Sequence, residues 1–198
     1  MTNEILVLYY SRYGATEGLA REVCRGVDSV KGAAARLRTV PAVSTVAEAS
    51  EDAIPESGPP YVSSADLAEC AGIVMGSPTR FGNMSSALKY FIDSTGGDWI
   101  KGTLSGKPAG VFTSTSSLHG GSETTLLTMA IPLLHHGMVY VGLPYSNAEL
   151  STTTSGGSLY GATHVTWSRN PDELSDEEKN LAFALGLRVA EIGGKLAS

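Results

Sequence analysis

Cysteine is scarce in this chain. Two thiols, Cys24 and Cys70, occur among 198 residues, with no CxxC pair and no Cys/His spacing suited to zinc. No metal site is expected, and both cysteines read as small hydrophobes on packed faces, a reactive thiol being the alternative. Positive charge is scarce too: 14 Lys and Arg stand against 20 Asp and Glu, a formal net charge of −6. The nearest approach to a basic cluster is Lys31, Arg36 and Arg38. A protein that grips a phosphate backbone carries a basic stripe, so nucleic acid is not an expected partner. Long apolar runs are missing. Ile5 to Tyr10 is too short to span a bilayer and lacks the basic flank of a signal peptide. No membrane partner is expected, and the cytoplasm is the default location.

Several catalytic signatures are also absent. No G-x-G-x-x-G follows the first apolar run, which disfavours a Rossmann dinucleotide site. Gly102 to Pro108 approaches a P-loop, but it is one residue short and ends in proline where a magnesium-holding hydroxyl belongs. It also precedes a strand pattern rather than a helix. No G-x-S-x-G nucleophile elbow exists. Phosphoryl and acyl transfer therefore lack their parts.

What is present is a regular alternation. Apolar residues make up 42% of the chain and charged residues 17%, the balance of one ordinary domain over residues 1–198. The continuous apolar runs Ile5–Tyr10, Ala71–Gly76, Ala109–Phe112 and Met138–Val141 read as strands buried on both faces. Ala34–Val40 reads as an edge strand. Leu19, Val23 and Val27 fall at helix spacing, as do Met84, Ala87, Leu88, Phe91 and Ile92. Leu181, Leu185, Val189, Ile192 and Leu196 form a C-terminal stripe, opened by a capping box of Ser175 with Glu178. A helix is expected between Glu123 and His136, kinked or ended early by Pro132. Strands alternating with helices predict an α/β, doubly wound parallel sheet with helices on both faces. Two stretches, 41–64 and 144–172, read as long loops with a role in function or assembly.

In such a sheet a ligand sits beyond the carboxyl ends of the strands. Three segments follow strand ends, and all are small and polar. Ser11-Arg12-Tyr13-Gly14-Ala15-Thr16 opens a helix with hydroxyls and free backbone N–H groups, which suits a phosphate; a plain capped turn is the alternative. Thr79, Arg80, Phe81, Gly82 and Asn83 could border a planar ring, with Arg80 supplying fixed charge. A surface ion pair for Arg80 and a core anchor for Phe81 are the bland alternatives. Ser114, Thr115, Ser116, Ser117, Leu118, His119 and Gly120 let backbone approach a flat ligand, or simply form a flexible loop. Adjacent His135 and His136 make a poor metal pair, because they point in different directions on a helix. One could act at a site while the other caps. Trp99 is either an exposed aromatic wall or core.

Taken in order, Leu8-Tyr9-Tyr10-Ser11-Arg12-Tyr13-Gly14, Pro78-Thr79-Arg80-Phe81-Gly82-Asn83-Met84, Thr95-Gly96-Gly97-Asp98-Trp99, Phe112 to Thr115, His135 to Met138 and Tyr160-Gly161-Ala162 resemble the tryptophan-repressor-binding-protein family. These are flavodoxin-like NAD(P)H:quinone oxidoreductases, and the resemblance runs over nearly the whole chain. It implies a five-stranded sheet of order 2-1-3-4-5, noncovalent FMN, NADH or NADPH as donor, small quinones as acceptors and a homotetramer whose sites draw on neighbouring subunits. It further implies that Ser11 to Thr16 hold the phosphate, that Thr79, Arg80 and Phe81 border the isoalloxazine, and that Ser114 to Gly120 wrap its other edge. His135 would lie near the flavin, Tyr13 on the nicotinamide side and Trp99 beside the substrate. The flavin does the chemistry in a two-electron ping-pong cycle, with Arg80 and His135 as candidate helpers. The loop after Phe112 is less glycine-rich than in some relatives. The alternative readings are a flavodoxin-type one-electron carrier and a protein that kept the fold without the cofactor.

Overall fold

The computed structural model describes residues 3–43, 58–166 and 173–196. The elements in chain order are β1 (Asn3–Tyr9), α1 (Ala15–Asp28), β2 (Ala33–Thr39), α2 (Ser64–Glu69), β3 (Gly72–Pro78), α3 (Ser86–Ser94) and α4 (Gly96–Ile100). There follow β4 (Pro108–Thr115), α5 (Ser122–His135), β5 (Val139–Tyr140), α6 (Glu149–Thr152), β6 (Ala162–Val165) and α7 (Asp176–Leu196).

Every strand pairing is parallel, in the order β2-β1-β3-β4-β5, with β6 also beside β4. The expected order 2-1-3-4-5 is thus present, but its fifth lane is built from two pieces. β5 pairs with the start of β4 at Pro108 and Ala109, and β6 pairs with its end at Phe112 to Thr115. The chain leaves the sheet between them, carrying α6, and returns.

β1 shows why the central runs are apolar throughout. Ile5, Val7 and Tyr9 face one side, where they meet Leu19 and Val23 of α1 and Leu185 and Val189 of α7. Leu6 and Leu8 face the other, against Leu88 of α3 and Leu126 and Met129 of α5. Both faces of the strand are covered, so period-2 alternation is lost. Each fully buried Leu or Val there contributes about 1.5–3 kcal/mol. α1 and α7 cross at reciprocal glycines. A Cβ on Gly26 would stand 1.9 Å from the Phe183 carbonyl oxygen, and one on Gly186 would stand 2.1 Å from that of Val23. Only bare backbone permits this approach.

Four expectations need correction. The run Met138–Val141 is not a strand buried on both faces, since β5 is Val139 and Tyr140 alone, the first exposed and the second half-buried. α5 does not end early at Pro132 but runs on to His135, with Leu133 beyond the proline anchored in the core. Met84 precedes its helix, which starts at Ser86. The stretch 144–172 is not only loop, since it holds α6 and β6; its residues 167–172 lie outside the described residues. Of the stretch 41–64, residues 44–57 also lie outside them. Its end is ordered by Ser63, which forms a capping box with Asp66 to start α2. The small basic cluster is neutralised in part: Arg36 pairs with Glu4, with Asp66 at 3.2 Å and with Glu69 at 3.0 Å, and Arg38 pairs with Asp66 at 3.1 Å. Burial pushes the Cys24 thiol up to about 12 and raises that of Cys70, so neither is poised as a nucleophile.

Candidate functional site

The carboxyl ends of β1, β3 and β4 each release one of the three polar loops. After β1 the chain turns at Gly14, whose φ of 91° is open to glycine, and enters α1 at Ala15. Among the described residues the backbone N–H groups of Ser11 to Thr16 have no protein acceptor. Seven-tenths of Tyr13 is exposed, and the Arg12 guanidinium lies 5.4 Å from its ring centre.

After β3, Arg80 and Asn83 close a two-residue turn, with the Arg80 N–H donating to Asn83 O at 2.7 Å and the Asn83 N–H to Arg80 O at 3.0 Å. The turn needs positive φ at both central positions, 52° at Phe81 and 75° at Gly82. Gly82 adopts this freely. Phe81 does not, and its side chain is fully exposed, so it is no core anchor. A bulky residue held in the left-handed region without packing costs about 1–3 kcal/mol, a burden typical of ligand clamps. The Arg80 guanidinium makes no ion pair among the described residues and donates to the Thr79 carbonyl at 2.8 Å.

After β4, Ser116 to His119 are exposed on a tight loop closed by Gly120 N–H to Ser117 O at 3.0 Å. A Cβ on Gly120 would press on Ser117 Oγ at 2.9 Å. The three loops meet at Ser114. Its hydroxyl lies 2.9 Å from that of Thr16, both buried, and its carbonyl accepts the Thr79 N–H at 2.9 Å. The Thr79 and Thr125 hydroxyls are also hydrogen-bonded, which ties the second loop to α5. Ser11 to Thr16, Thr79 to Asn83 and Ser114 to Gly120 are therefore gathered at one edge, across the β1/β3 position where the strand order reverses.

His135 and Trp99 are not there. α5 starts at the carboxyl edge and runs back over 14 residues, a length of roughly 21 Å. It delivers His135 to the opposite pole, where the Gly106 N–H donates to Gly137 O at 2.8 Å and β5 begins beside the first residue of β4. Trp99, about half exposed, donates its indole N–H to the His135 carbonyl at 2.8 Å. The two line a groove of about 540 Å³ with Ile92, Ile131 and Pro132, and the groove runs along α3 and α5 as far as Asn83 of the second loop. His136 is the α5 cap, and its Nε2 lies 3.0 Å from the Thr95 hydroxyl. Burial holds its pKa below the usual imidazole value.

One polar cluster escaped the sequence reading. The Glu178 carboxylate accepts from His164 Nδ1 at 2.7 Å, the Ser155 hydroxyl at 2.6 Å, and the N–H groups of Gly156, Val165 and Ser175 at 2.8, 3.1 and 2.9 Å. Burial pushes its pKa up, but these hydrogen bonds win and hold it at about 2. The signal in the sequence was only the capping box; partners 13 to 23 residues away leave no local pattern.

A doubly wound parallel sheet with an anion-ready loop and two further polar loops at its switch point defines a flavodoxin-like protein of the mononucleotide-binding kind. The chain belongs to the NADPH-dependent FMN reductase family, whose model matches residues 5–153 and so spans all three loops, Trp99 and His135. A protein of Chromohalobacter salexigens described as an NAD(P)H dehydrogenase (quinone) is 43% identical, over 98% of this chain and 99% of its own length. One from Solidesulfovibrio magneticus with the same description is 42% identical, over 97% and 98%. Among solved structures, a flavodoxin, WrbA-like protein from Agrobacterium tumefaciens superimposes with a TM-score of 0.67 at 24% identity, covering 98% of this chain and 99% of that one. The residues present fit the family's FMN. Ser11 to Thr16 offer a row of unpaired backbone donors beside buried hydroxyls, which is the donor set a phosphate monoester needs.

Proposed function

We propose that this protein is an FMN-dependent NAD(P)H:quinone oxidoreductase that reduces quinones to hydroquinones by two electrons in a ping-pong cycle. The observation that carries this reading is the convergence of three donor-rich loops on Ser114, in a chain similar over its whole length to relatives of that description. FMN, when bound, supplies the hydride and electron chemistry. The chain's own part is to hold and orient. The N–H groups of Ser11, Arg12, Tyr13, Gly14, Ala15 and Thr16, with the Thr16 hydroxyl, receive the phosphate. Thr79, Arg80, Phe81, Gly82 and Asn83 border one edge of the ring system, and Ser114 to Gly120 the other. Arg80, with no carboxylate partner among the described residues, places fixed positive charge where a reduced ring bears negative charge. Tyr13 stands exposed beside the same site, as a nicotinamide wall would.

Trp99 and His135 serve the site of a neighbouring copy in a homotetramer. Their position at the far pole of their own sheet supports this, as do exposed Ile100 and Leu134 beside them in the chain and exposed Ile131 in their groove. In that site His135 orients or protonates the quinone oxygen and Trp99 walls the substrate. Among the described residues no helix is long and apolar enough to cross a membrane. The net charge of −6 supports a partner set of small molecules, without nucleic acid, and we read the location as the cytoplasm.

The test is NADH-dependent benzoquinone reduction by the purified protein, with and without added FMN. The expected result is turnover that depends on FMN. A yellow protein without NADH or NADPH turnover would favour the one-electron carrier. A protein that takes up no FMN would remove the reading altogether.

A further inference from the structure

Beside the flavin-edge loops lies a second groove, of about 540 Å³, between the loop after β1 and the start of α3. Its lining includes Tyr10, Arg12, Arg80, Ser85, Ser86 and Lys89. Three cations on one groove stand out in a chain with a net charge of −6. Lys89 has Asp93 as a partner at 2.5 Å. Arg12 and Arg80 have no carboxylate partner among the described residues: Arg12 lies over the Tyr13 ring and the Arg80 guanidinium donates to a carbonyl. Unpaired guanidiniums carry planar forks of donors matched to phosphate oxygens. The groove shares Arg12, Arg80 and Asn83 with the loops that border the ring site, so a ligand stacked against exposed Tyr13 would extend into it. The walls also supply apolar surface, from Tyr10, Val43 and Met84, beside the charged groups.

We propose that this groove receives the phosphate-bearing tail of the nicotinamide dinucleotide, with Arg12 and Lys89 as binding residues that act on the donor and not on the quinone. The inference rests on the reductase reading above and adds to it the seat of the donor's phosphates. Those phosphates come from two sources, the pyrophosphate of either dinucleotide or the 2′-phosphate of NADPH alone.

The test compares Arg12→Gln and Lys89→Gln with the unsubstituted protein, loaded with FMN. KM is measured for NADH, NADPH and benzoquinone, and the binding of ADP and 2′,5′-ADP is followed by calorimetry. Lys89 lies outside the loops assigned to FMN, so it keeps the test valid if Arg12→Gln loosens the flavin. The expected result is a rise of about tenfold in dinucleotide KM relative to quinone KM, matched by weaker nucleotide binding. A rise for both donors together with weaker ADP binding assigns the pyrophosphate. A rise confined to NADPH and 2′,5′-ADP assigns the 2′-phosphate. Normal turnover with unchanged dinucleotide KM and unchanged nucleotide binding in both variants would overturn the groove while leaving the reductase intact. No turnover with either donor in the unsubstituted protein would overturn the reductase reading, and the groove with it.

Discussion

Phe81 is a residue whose backbone and side chain both work against stability. Its φ of 52° places a bulky residue in the left-handed region, and its ring is fully exposed. Asparagine tolerates that conformation far better, because its short polar side chain bonds locally. No packing is lost when the ring is removed. Phe81→Asn should therefore raise the stability of the FMN-free protein by about 1 kcal/mol while weakening FMN binding. Thermal unfolding without FMN, followed by FMN titration, measures the two effects separately. A lower melting temperature would show that the ring packs after all, and unchanged FMN affinity would divorce the strained turn from the cofactor.

At the scale of elements, Glu178 joins parts that no local pattern connects. One carboxylate holds the loop at Ser155 and Gly156, the strand β6 through His164 and Val165, and the start of α7 through Ser175. Its pKa is about 2 in the fold against an ordinary value of 4.5. A depressed folded value means the stabilisation is complete above the unfolded value and is lost as pH falls through the window between 4.5 and 2. Glu178→Gln should cost about 3 kcal/mol or more at neutral pH, since it leaves a buried network short of its charge. It should also flatten the acid limb, so urea unfolding of both proteins from pH 7 to pH 3 should show the gap closing. A gap that stays constant across that range would mean that the charge carries none of the stability.

The same elements show what was legible in the residues. β1, β3 and β4 were, because burial on both faces leaves an unbroken apolar run. β6 was not: its Ala-Thr-His-Val buries Thr163 and His164, and their partners lie in a loop and a helix elsewhere. The three site loops were legible as small polar residues directly after strand ends. The separation of Trp99 and His135 from them was latent in the topology. A helix between parallel strands must return to the amino edge, so its last residue cannot sit with the residues before its first.

That separation decides how the whole molecule can be tested. If Trp99 and His135 act on the ring site, they must act on that of another copy, since α5 carries His135 to the opposite pole and Trp99, on α4, is hydrogen-bonded to it there. Two classes of variant then complement each other. Thr16→Val with Ser114→Ala spoils the phosphate edge, while Trp99→Ala with His135→Ala spoils the far pole; each homo-oligomer should be nearly inactive in quinone reduction. In mixed oligomers formed by co-expression, a chain with intact loops meets a neighbour with an intact pole in about a quarter of sites, half of the chains having the one and half of their neighbours the other. Activity should return to about that fraction of the unsubstituted protein, and light scattering should report four chains per particle. The thermal stability of each variant checks that its inactivity reflects the site and not the fold. Mixtures as inactive as their parents, or activity confined to a monomeric fraction, would return Trp99 and His135 to a purely structural role. The flavin site would then be the property of one chain alone.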